Sequence, residues 1–162
     1  MAKTLTRIAA VSSGLLIAAG AALATAPSAS ALTSGALHNS ASGLCLGIYG
    51  NIDTNGQDAI QWGCNGNADQ NWDFTGVGGG YYQLQNGNGK CLGVYARTSV
   101  AIQWDCNGNP DQKWSIDSSD GYSARLKNGY GQCLDITSPG SGNGAIAYAL
   151  ACDNSSEQRW HS

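Results

Sequence analysis

Three copies of one sequence unit constrain the fold of this chain more than any other feature. Each copy opens with Cys-Leu and closes with Gln-x-Trp, and the copies run from Cys45 to Trp72, from Cys91 to Trp114 and from Cys133 to Trp160. In every copy the second cysteine stands eight residues before the closing tryptophan. The next opening cysteine stands nineteen positions after that tryptophan. A period of about 44 residues indicates one structural unit built three times.

The residues between these markers predict short strands. The copies differ in length only between their two cysteines, where the middle copy is four residues shorter around positions 97–100. Because length changes concentrate in exposed loops, this segment is predicted to be a surface loop in every copy. Short runs such as Ala59–Trp62 and 81–84 are bounded by Asn-Gly clusters and lack helical apolar spacing. We predict an all-β domain with four strands per repeat, twelve in all.

The six cysteines are interpreted as disulfides, since an even number in an exported chain favours pairing. Equivalent positions of a three-fold repeat are expected to behave alike, which predicts one disulfide inside each repeat. A zinc site is the alternative, but it requires closely spaced Cys-x-x-Cys thiolates, which the sequence lacks, so no metal is expected. The predicted pairs are Cys45 with Cys64, Cys91 with Cys106, and Cys133 with Cys152.

The first 31 residues have the form of a secretory signal. Lys3 and Arg7 precede an apolar run over positions 8–23, and Ala29-Ser30-Ala31 resembles a signal-peptidase site. A retained membrane anchor is the alternative reading of the apolar run. We expect a secreted, extracellular protein with no membrane insertion after cleavage. Its single domain would cover residues 32–162, with repeats at about 36–76, 77–118 and 119–162.

Charge and composition argue against two functional classes. Without the signal, six basic residues face eleven acidic ones, a formal charge of −5. Nucleic-acid binding requires a basic patch, so no nucleic-acid partner is expected. Catalysis requires a matched acid and base, yet the two histidines, His38 and His161, stand at opposite ends of the mature chain. Asp117 and Asp120 precede Gly121 in a polar turn sequence. We expect neither an enzyme nor a cofactor.

The Cys-Leu openings, the Gln-x-Trp closures and the intervening Cys-Asn-Gly of the first two copies resemble the ricin B-type lectins. The resemblance extends from about Ala36 to the end of the chain. It implies a β-trefoil, a six-stranded barrel capped by three hairpins, with one shallow sugar pocket per repeat. It places the closing tryptophans in the core. The glutamines Gln70, Gln112 and Gln158 are expected to hold the loop around each pocket, with sugar contact as a second role.

The acids of the three predicted pockets differ. The resemblance places an acid two residues after the opening cysteine, where the third copy has Asp135 and the first two copies have Gly47 and Gly93. A second family contact precedes the Gln of Gln-x-Trp, and there the three copies have Asp69, Asp111 and Glu157. We hypothesise that in copies one and two the carboxylate has moved to this second position. The alternative is that these acids only shape a turn.

Aromatic side chains supply a stacking face for the C–H patch of a sugar ring. Trp62 and Trp104 stand two residues before their second cysteines, where the family has an aromatic. The third copy has Leu150 there, and Tyr148 lies on the same side of an extended strand. Tyr49 and Tyr95, each four residues after an opening cysteine, are further candidates. The alternative for all of them is a structural role in the wall of the domain.

The resemblance therefore implies a monomeric secreted lectin, similar to small bacterial haemagglutinins, that binds glycans through up to three sites. Galactose-type sugars and rhamnose are the expected ligands. A module that binds xylan-type polysaccharides and a protein-binding or inhibitory trefoil remain as alternatives, because a fold does not determine a function.

Overall fold

A computed structural model describes residues 32–137 and 142–162. The predicted signal segment, residues 1–31, lies outside the described part, as does the short stretch 138–141. Among the described residues there is no helix long and apolar enough to cross a membrane.

Over these ranges the chain forms thirteen strands and four single-turn 3-10 helices. The helices are Tyr49–Asn51, Ala68–Gln70, Pro110–Gln112 and Ser156–Gln158. The strands are β1 (Gly35–Ala36), β2 (His38–Asn39), β3 (Cys45–Ile48), β4 (Ala59–Trp62), β5 (Asn71–Gly78), β6 (Tyr81–Asn86), β7 (Cys91–Tyr95), β8 (Val100–Trp104), β9 (Trp114–Asp117), β10 (Arg125–Asn128), β11 (Gln132–Ile136), β12 (Ala145–Ala151) and β13 (Trp160–His161).

The prediction of a three-fold β-trefoil is confirmed. The second and third strands of each repeat pair antiparallel in one register, which sets Cys45 opposite Trp62, Cys91 opposite Trp104, and Cys133 opposite Leu150. The expected twelve strands become thirteen because the first is interrupted at Leu37. Its two halves, β1 and β2, pair with different partners, β5 and β13.

Bridges join the central strand pairs of the three repeats, in addition to the ladders β5–β6, β9–β10 and β13–β2. Ile60 of repeat one pairs with Ile146 of repeat three, Asp58 with Ile102 of repeat two, and Val100 with Tyr148. The pocket-bearing strand pairs of the three repeats thus lie side by side.

The closing tryptophans lie at the centre of the core, and each is fully buried. Their indole Nε1 atoms donate hydrogen bonds to the carbonyl oxygens of the residues that follow the opening cysteines. These distances are 3.0 Å for Trp72 to Leu46, 2.9 Å for Trp114 to Leu92, and 3.1 Å for Trp160 to Leu134. Burying an indole with its N–H satisfied adds apolar area without an unpaired donor.

Three disulfides join the predicted pairs, one in each repeat. They close loops of 19, 15 and 19 residues. In a chain-entropy model, each such loop contributes about 3 kcal/mol to the free energy of unfolding. Because the second cysteine of each pair precedes the Gln-x-Trp turn, each disulfide also ties the opening strand to the loop beside the pocket.

Candidate functional site

The first two repeats carry matching clefts beside the ends of their strand pairs. The cleft of repeat one encloses about 370 Å³, and that of repeat two about 280 Å³. Clefts of this size suit a single sugar ring better than an extended ligand. Both linings contain an aromatic pair, Tyr49 with Trp62 or Tyr95 with Trp104, an acid, Asp69 or Asp111, and two asparagines that follow the second cysteine of the repeat.

The carboxylate of Asp69 occupies the floor of the first cleft. Asp69 is 5% exposed, and its Oδ2 accepts a 2.9 Å hydrogen bond from the backbone N–H of Ile48. Its Oδ1 is buried and has no hydrogen-bond partner among the residues that the structure describes. A Cβ atom added at Gly47 would lie 2.7 Å from Asp69 Oδ2. A side chain at position 47 and the carboxylate of Asp69 therefore exclude each other.

The second cleft repeats this arrangement less tightly. Asp111 Oδ2 lies 3.4 Å from the backbone nitrogen of Val94, a long hydrogen bond. A Cβ atom added at Gly93 would come to 2.9 Å from the same oxygen. Asp111 is half-buried where Asp69 is buried. The carboxylates of both repeats thus lie over the glycine that replaces the family acid.

In repeat three the acid is on the strand itself. Asp135 is 6% exposed, and its Oδ2 accepts a 2.8 Å hydrogen bond from Nε2 of Gln158. Burial raises the pKa of Asp135, the hydrogen bond from Gln158 opposes this, and the negative charges of Asp153 and Glu157 raise it further. Glu157, at the chain position of Asp69, is partly exposed and accepts a hydrogen bond from Ser156 Oγ at 3.1 Å.

The tryptophans Trp62 and Trp104 are 42% and 41% exposed. Each is approached by the loop of the preceding repeat, since a Cβ at Gly144 would lie 3.7 Å from the Trp62 ring and one at Gly56 would lie 3.4 Å from the Trp104 ring. Both glycines have positive φ, which favours the absence of a side chain. One side of each indole is thus supported while the rest stays open.

Asparagines of the same loops anchor these approaches. Asn143 Oδ1 accepts a 2.7 Å hydrogen bond from the backbone N–H of Gly63, and Asn55 Oδ1 accepts one of 2.9 Å from Asp105. These asparagines occupy equivalent positions in repeats three and one. The indoles of Trp62 and Trp104 are therefore supported by a neighbouring repeat, which the sequence alone does not indicate, whereas the lining of each cleft comes from its own repeat.

The other candidate aromatics take different positions. Tyr49 and Tyr95 line the first two clefts and are 62% and 48% exposed. In repeat three, Tyr148 lies directly opposite Asp135 in the β11–β12 ladder, so their side chains lie on the same face of the sheet. Leu150, at the position of Trp62, is half-buried, and Thr137, at the position of Tyr49, is exposed.

The glutamines of Gln-x-Trp are buried, and each holds the backbone on both sides of the second cysteine of its repeat. Each Oε1 accepts a hydrogen bond from the residue after the second cysteine, and each Nε2 donates to the carbonyl of the residue before that cysteine. The acceptor contacts are 2.9 Å for Gln70 to Asn65, 2.9 Å for Gln112 to Asn107, and 2.8 Å for Gln158 to Asp153. The donor contacts are 3.1, 3.0 and 2.9 Å to Gly63, Asp105 and Ala151.

Asparagines are among the lining residues that were not predicted from the sequence. Asn67 and Asn109 line the first and second clefts, just before the short helices that carry Asp69 and Asp111. Their backbone N–H groups are held by Asn65 and Asn107 in identical 2.9 Å contacts. The signal was present, because Asn-Gly-Asn recurs in copies one and two and is absent from copy three.

The family model for the ricin-type β-trefoil lectin domain matches residues 33–160. The chain belongs to this lectin family. No curated protein sequence matches it. Since the family is one of carbohydrate-binding domains, the clefts of repeats one and two and the surroundings of Asp135 are the first places to consider for a sugar.

Solved structures resemble the lectin domain over most of its length. The designed three-fold symmetric protein ThreeFoil has a TM-score of 0.74 and 24% identity, covering 79% of this chain and 96% of its own. A Clostridium thermocellum exo-β-1,3-galactanase has a TM-score of 0.74 and 26% identity, but only 29% of it is covered, against 80% of this chain. The earthworm R-type lectin C-half, in complex with GalNAc, has a TM-score of 0.65, 16% identity and coverages of 80% and 96%.

Among the described residues, the cluster with metal-ligand chemistry is His38 with Cys45 and Cys64. Both cysteines form a disulfide, so neither offers the thiolate that a metal requires. The imidazole of His38 instead stacks on that of His161, with ring centroids 5.2 Å apart. In this lectin domain the cluster is best explained as packing between the first and last strands.

Proposed function

We propose that the protein is a secreted monomeric lectin that binds terminal neutral sugars in up to three shallow pockets, one per repeat. A sugar ring presents hydroxyl donors and a patch of C–H bonds. A pocket for it combines a carboxylate that accepts hydroxyl hydrogen bonds with an aromatic face. The family supplies carbohydrate binding as a class, and the pocket residues support the assignment of these roles.

The unpartnered carboxylate oxygen of Asp69 carries the proposal. A buried carboxylate oxygen without a donor costs free energy. Asp69 lines the cleft, so a rotation of its side chain would present this oxygen to a ligand hydroxyl, which would recover that cost. Trp62, the exposed aromatic of the same cleft, offers its face to the C–H patch. Because a hydroxyl in the wrong position leaves the charged acceptor unsatisfied, this arrangement also selects between epimers.

Equivalent roles are proposed in the other repeats. In repeat two Asp111 accepts sugar hydroxyls and Trp104 stacks, with Tyr95 at the rim as Tyr49 is in repeat one. In repeat three Asp135 is the acceptor and Tyr148 the aromatic. Glu157 is partly exposed beside Asp135, so its carboxylate is accessible to a ligand. The glutamines Gln70, Gln112 and Gln158 hold the loops, and Gln158 also orients the Asp135 carboxylate.

Galactose-type sugars are the proposed ligands, with rhamnose as the second candidate. Two similar structures are named for galactose-type chemistry, the galactanase and the GalNAc complex. Each pocket alone is shallow and is expected to bind weakly. Three pockets on one compact domain raise the apparent affinity for a surface that carries many copies of the sugar, which is how a haemagglutinin acts.

Isothermal titration calorimetry of the purified protein with galactose, lactose, rhamnose and xylo-oligosaccharides tests the proposal. Binding of a monosaccharide at about three sites per chain supports a working acid in every repeat. Binding at one site would leave only the Asp135 pocket and overturn the roles of Asp69 and Asp111. A response to xylo-oligosaccharides alone favours a polysaccharide-binding module. No heat with any sugar would favour a protein-binding trefoil.

A further inference from the structure

A further cavity lies between repeats two and three, apart from the matching clefts of repeats one and two. It encloses about 390 Å³ and is lined by Val94, Ala96 and Ser99 of repeat two with Tyr130 and Gln132 of repeat three. Tyr130 is 61% exposed at the turn between β10 and β11. The lining thus combines an open aromatic ring with a hydroxyl, an amide and two small apolar side chains.

The loop that borders this cavity is the one that carries the four-residue deletion of repeat two. At the matching junction of repeats one and two, the longer loop of repeat one lies over its neighbour. The carbonyl oxygens of Ile52 and Thr54 accept hydrogen bonds of 2.6 and 2.8 Å from Nε2 of Gln103. In repeat two the shorter loop turns back at once, with the N–H of Ser99 donating to the carbonyl of Tyr95 at 2.9 Å. The longer loop of repeat one is thus bonded to strand β8 of repeat two, and its Asn51 also meets Asn88, the counterpart of Tyr130. The shorter loop of repeat two instead borders the cavity beside Tyr130.

The open cavity adjoins the sugar pocket of repeat two. Val94 lines both. The repeat supplies a second link, because Tyr130 in Gly129-Tyr130-Gly131 matches Asn88 in Gly87-Asn88-Gly89. Asn88 Nδ2 donates a 3.3 Å hydrogen bond to Asn51 Oδ1, and Asn51 lines the pocket of repeat one. The position of Tyr130 is therefore at the rim of a pocket.

We propose that this cavity is a second sugar subsite, which binds the next ring of a glycan whose terminal ring occupies the repeat-two pocket. Tyr130 stacks on that second ring, and Ser99 and Gln132 meet its hydroxyls. The inference rests on the proposed sugar binding in repeat two. It adds that repeat two selects disaccharides or longer chains, whereas repeat one, whose longer loop is bonded to strand β8 of repeat two, binds the terminal ring alone.

Residue-resolved NMR titration tests the subsite without disabling the other pockets. The indole N–H signal of Trp104 reports the repeat-two pocket, and the amide signals of Tyr130 and Gln132 report the cavity. The probes are galactose with β-1,3-galactobiose and xylose with xylobiose. We expect the disaccharide of the binding series to shift all three signals and to bind about tenfold more tightly than its monosaccharide at Trp104, the effect of one added aromatic stack.

Substitution of Tyr130 separates this inference from the proposed function. Tyr130→Asn, which copies the residue of the matching repeat, is expected to remove the tenfold preference and leave the monosaccharide dissociation constant at Trp104 unchanged. Tyr122→Ala is the matched control, because this exposed tyrosine contacts His161 instead, with ring centroids 5.0 Å apart. It is expected to retain the preference.

A disaccharide that binds no more tightly than its monosaccharide, or a preference that survives in Tyr130→Asn, would overturn the subsite while sugar binding stands. A Trp104 signal that no sugar moves would overturn sugar binding in repeat two and the subsite together.

Discussion

Repeats one and three each have a carboxylate beside the strand that contains the opening cysteine, but a different element supplies it in each repeat. In repeat one the acid is Asp69 on the short helix, and it fills the space above Gly47. In repeat three the acid is Asp135 on strand β11, held by Gln158 from the helix side. The contact of 2.7 Å for a Cβ at position 47 shows that the two arrangements exclude each other. Two repeats can thus place the same chemical group at an equivalent point in space from different positions in the chain.

Repeats one and three have the same buried tryptophan beneath their different pockets. Trp72→Ala and Trp160→Ala each remove a fully buried indole that donates to a leucine carbonyl. We expect each to lower the free energy of unfolding by about 3–5 kcal/mol. Chemical denaturation measures this. A loss much smaller in one repeat than in the other would contradict a shared core beneath different pockets.

Asp69→Asn and Asp135→Asn test whether the carboxylates of repeats one and three both bind sugar. A hydrogen bond to a charged acceptor is worth about 1.5–3 kcal/mol, so each variant is expected to weaken sugar binding by roughly 10- to 100-fold at its own site. Calorimetry would then count one site fewer in each single variant. Asp73→Asn, an exposed acid on β5, is the control and should retain every site. Unchanged stoichiometry in Asp69→Asn would make Asp69 a turn residue.

Gly47→Ala tests the steric exclusion directly. The added Cβ would meet Asp69 Oδ2 at 2.7 Å and Gln70 Cγ at 2.9 Å, so the carboxylate must move. We expect destabilisation of about 1–3 kcal/mol, as for other overpacked sites, together with loss of the repeat-one site. Gly76→Ala, where an added Cβ meets nothing within 4 Å, is the matched glycine control. Wild-type stability and wild-type sugar stoichiometry in Gly47→Ala would contradict the exclusion.

Sugar affinity in repeat three is expected to depend on pH, because Asp135 is its acceptor. Because burial raises the pKa of Asp135, its carboxylate takes up a proton at a higher pH than an ordinary aspartate. Sugar binding at this site is expected to fall as the pH drops through that raised pKa. A calorimetric pH series on Asp69→Asn/Asp111→Asn, which leaves the third site, measures it. A constant affinity down to pH 3.8 would exclude Asp135 as the acceptor.

The same shift has the opposite sign for stability. The folded chain holds the Asp135 proton more tightly than the unfolded chain. The contribution of Asp135 is therefore fully present below its unfolded pKa and is lost as the pH rises through its folded pKa. Asp135→Asn is thus expected to be at least as stable as the natural protein at neutral pH, although it has lost a ligand site. Thermal unfolding of the two at pH 7 measures the difference.

Much of the fold was predictable from residue spacing alone. Three copies in register predicted three equivalent units and their disulfides, because equal spacing in a repeat maps onto equal geometry. The resemblance to the ricin B-type lectins implied the trefoil. The split of the first strand at Leu37 was not predictable. It arises because its halves pair with β5 and β13, which come from different repeats.

The pockets were predictable only in part. Comparison of the copies was sufficient to nominate Asp69, Asp111 and Asp135, since glycine and acid exchange positions among them. The approach of Gly144 to Trp62 and of Gly56 to Trp104 was not visible, because each contact joins residues of different repeats. The open cavity beside Tyr130 likewise lies between the shortened loop of one repeat and an aromatic residue of the next.

Spacing along the chain was sufficient for the number of repeats and the pairing of the cysteines, and the resemblance to the ricin B-type lectins nominated the pocket residues, because all of these are read within one copy. The tertiary structure alone decided which atoms share a pocket. It placed the Asp69 carboxylate over Gly47, supported each exposed indole with a neighbouring loop, and left one junction open. Those outcomes depend on steric exclusion and on packing between repeats, which act in space rather than along the chain.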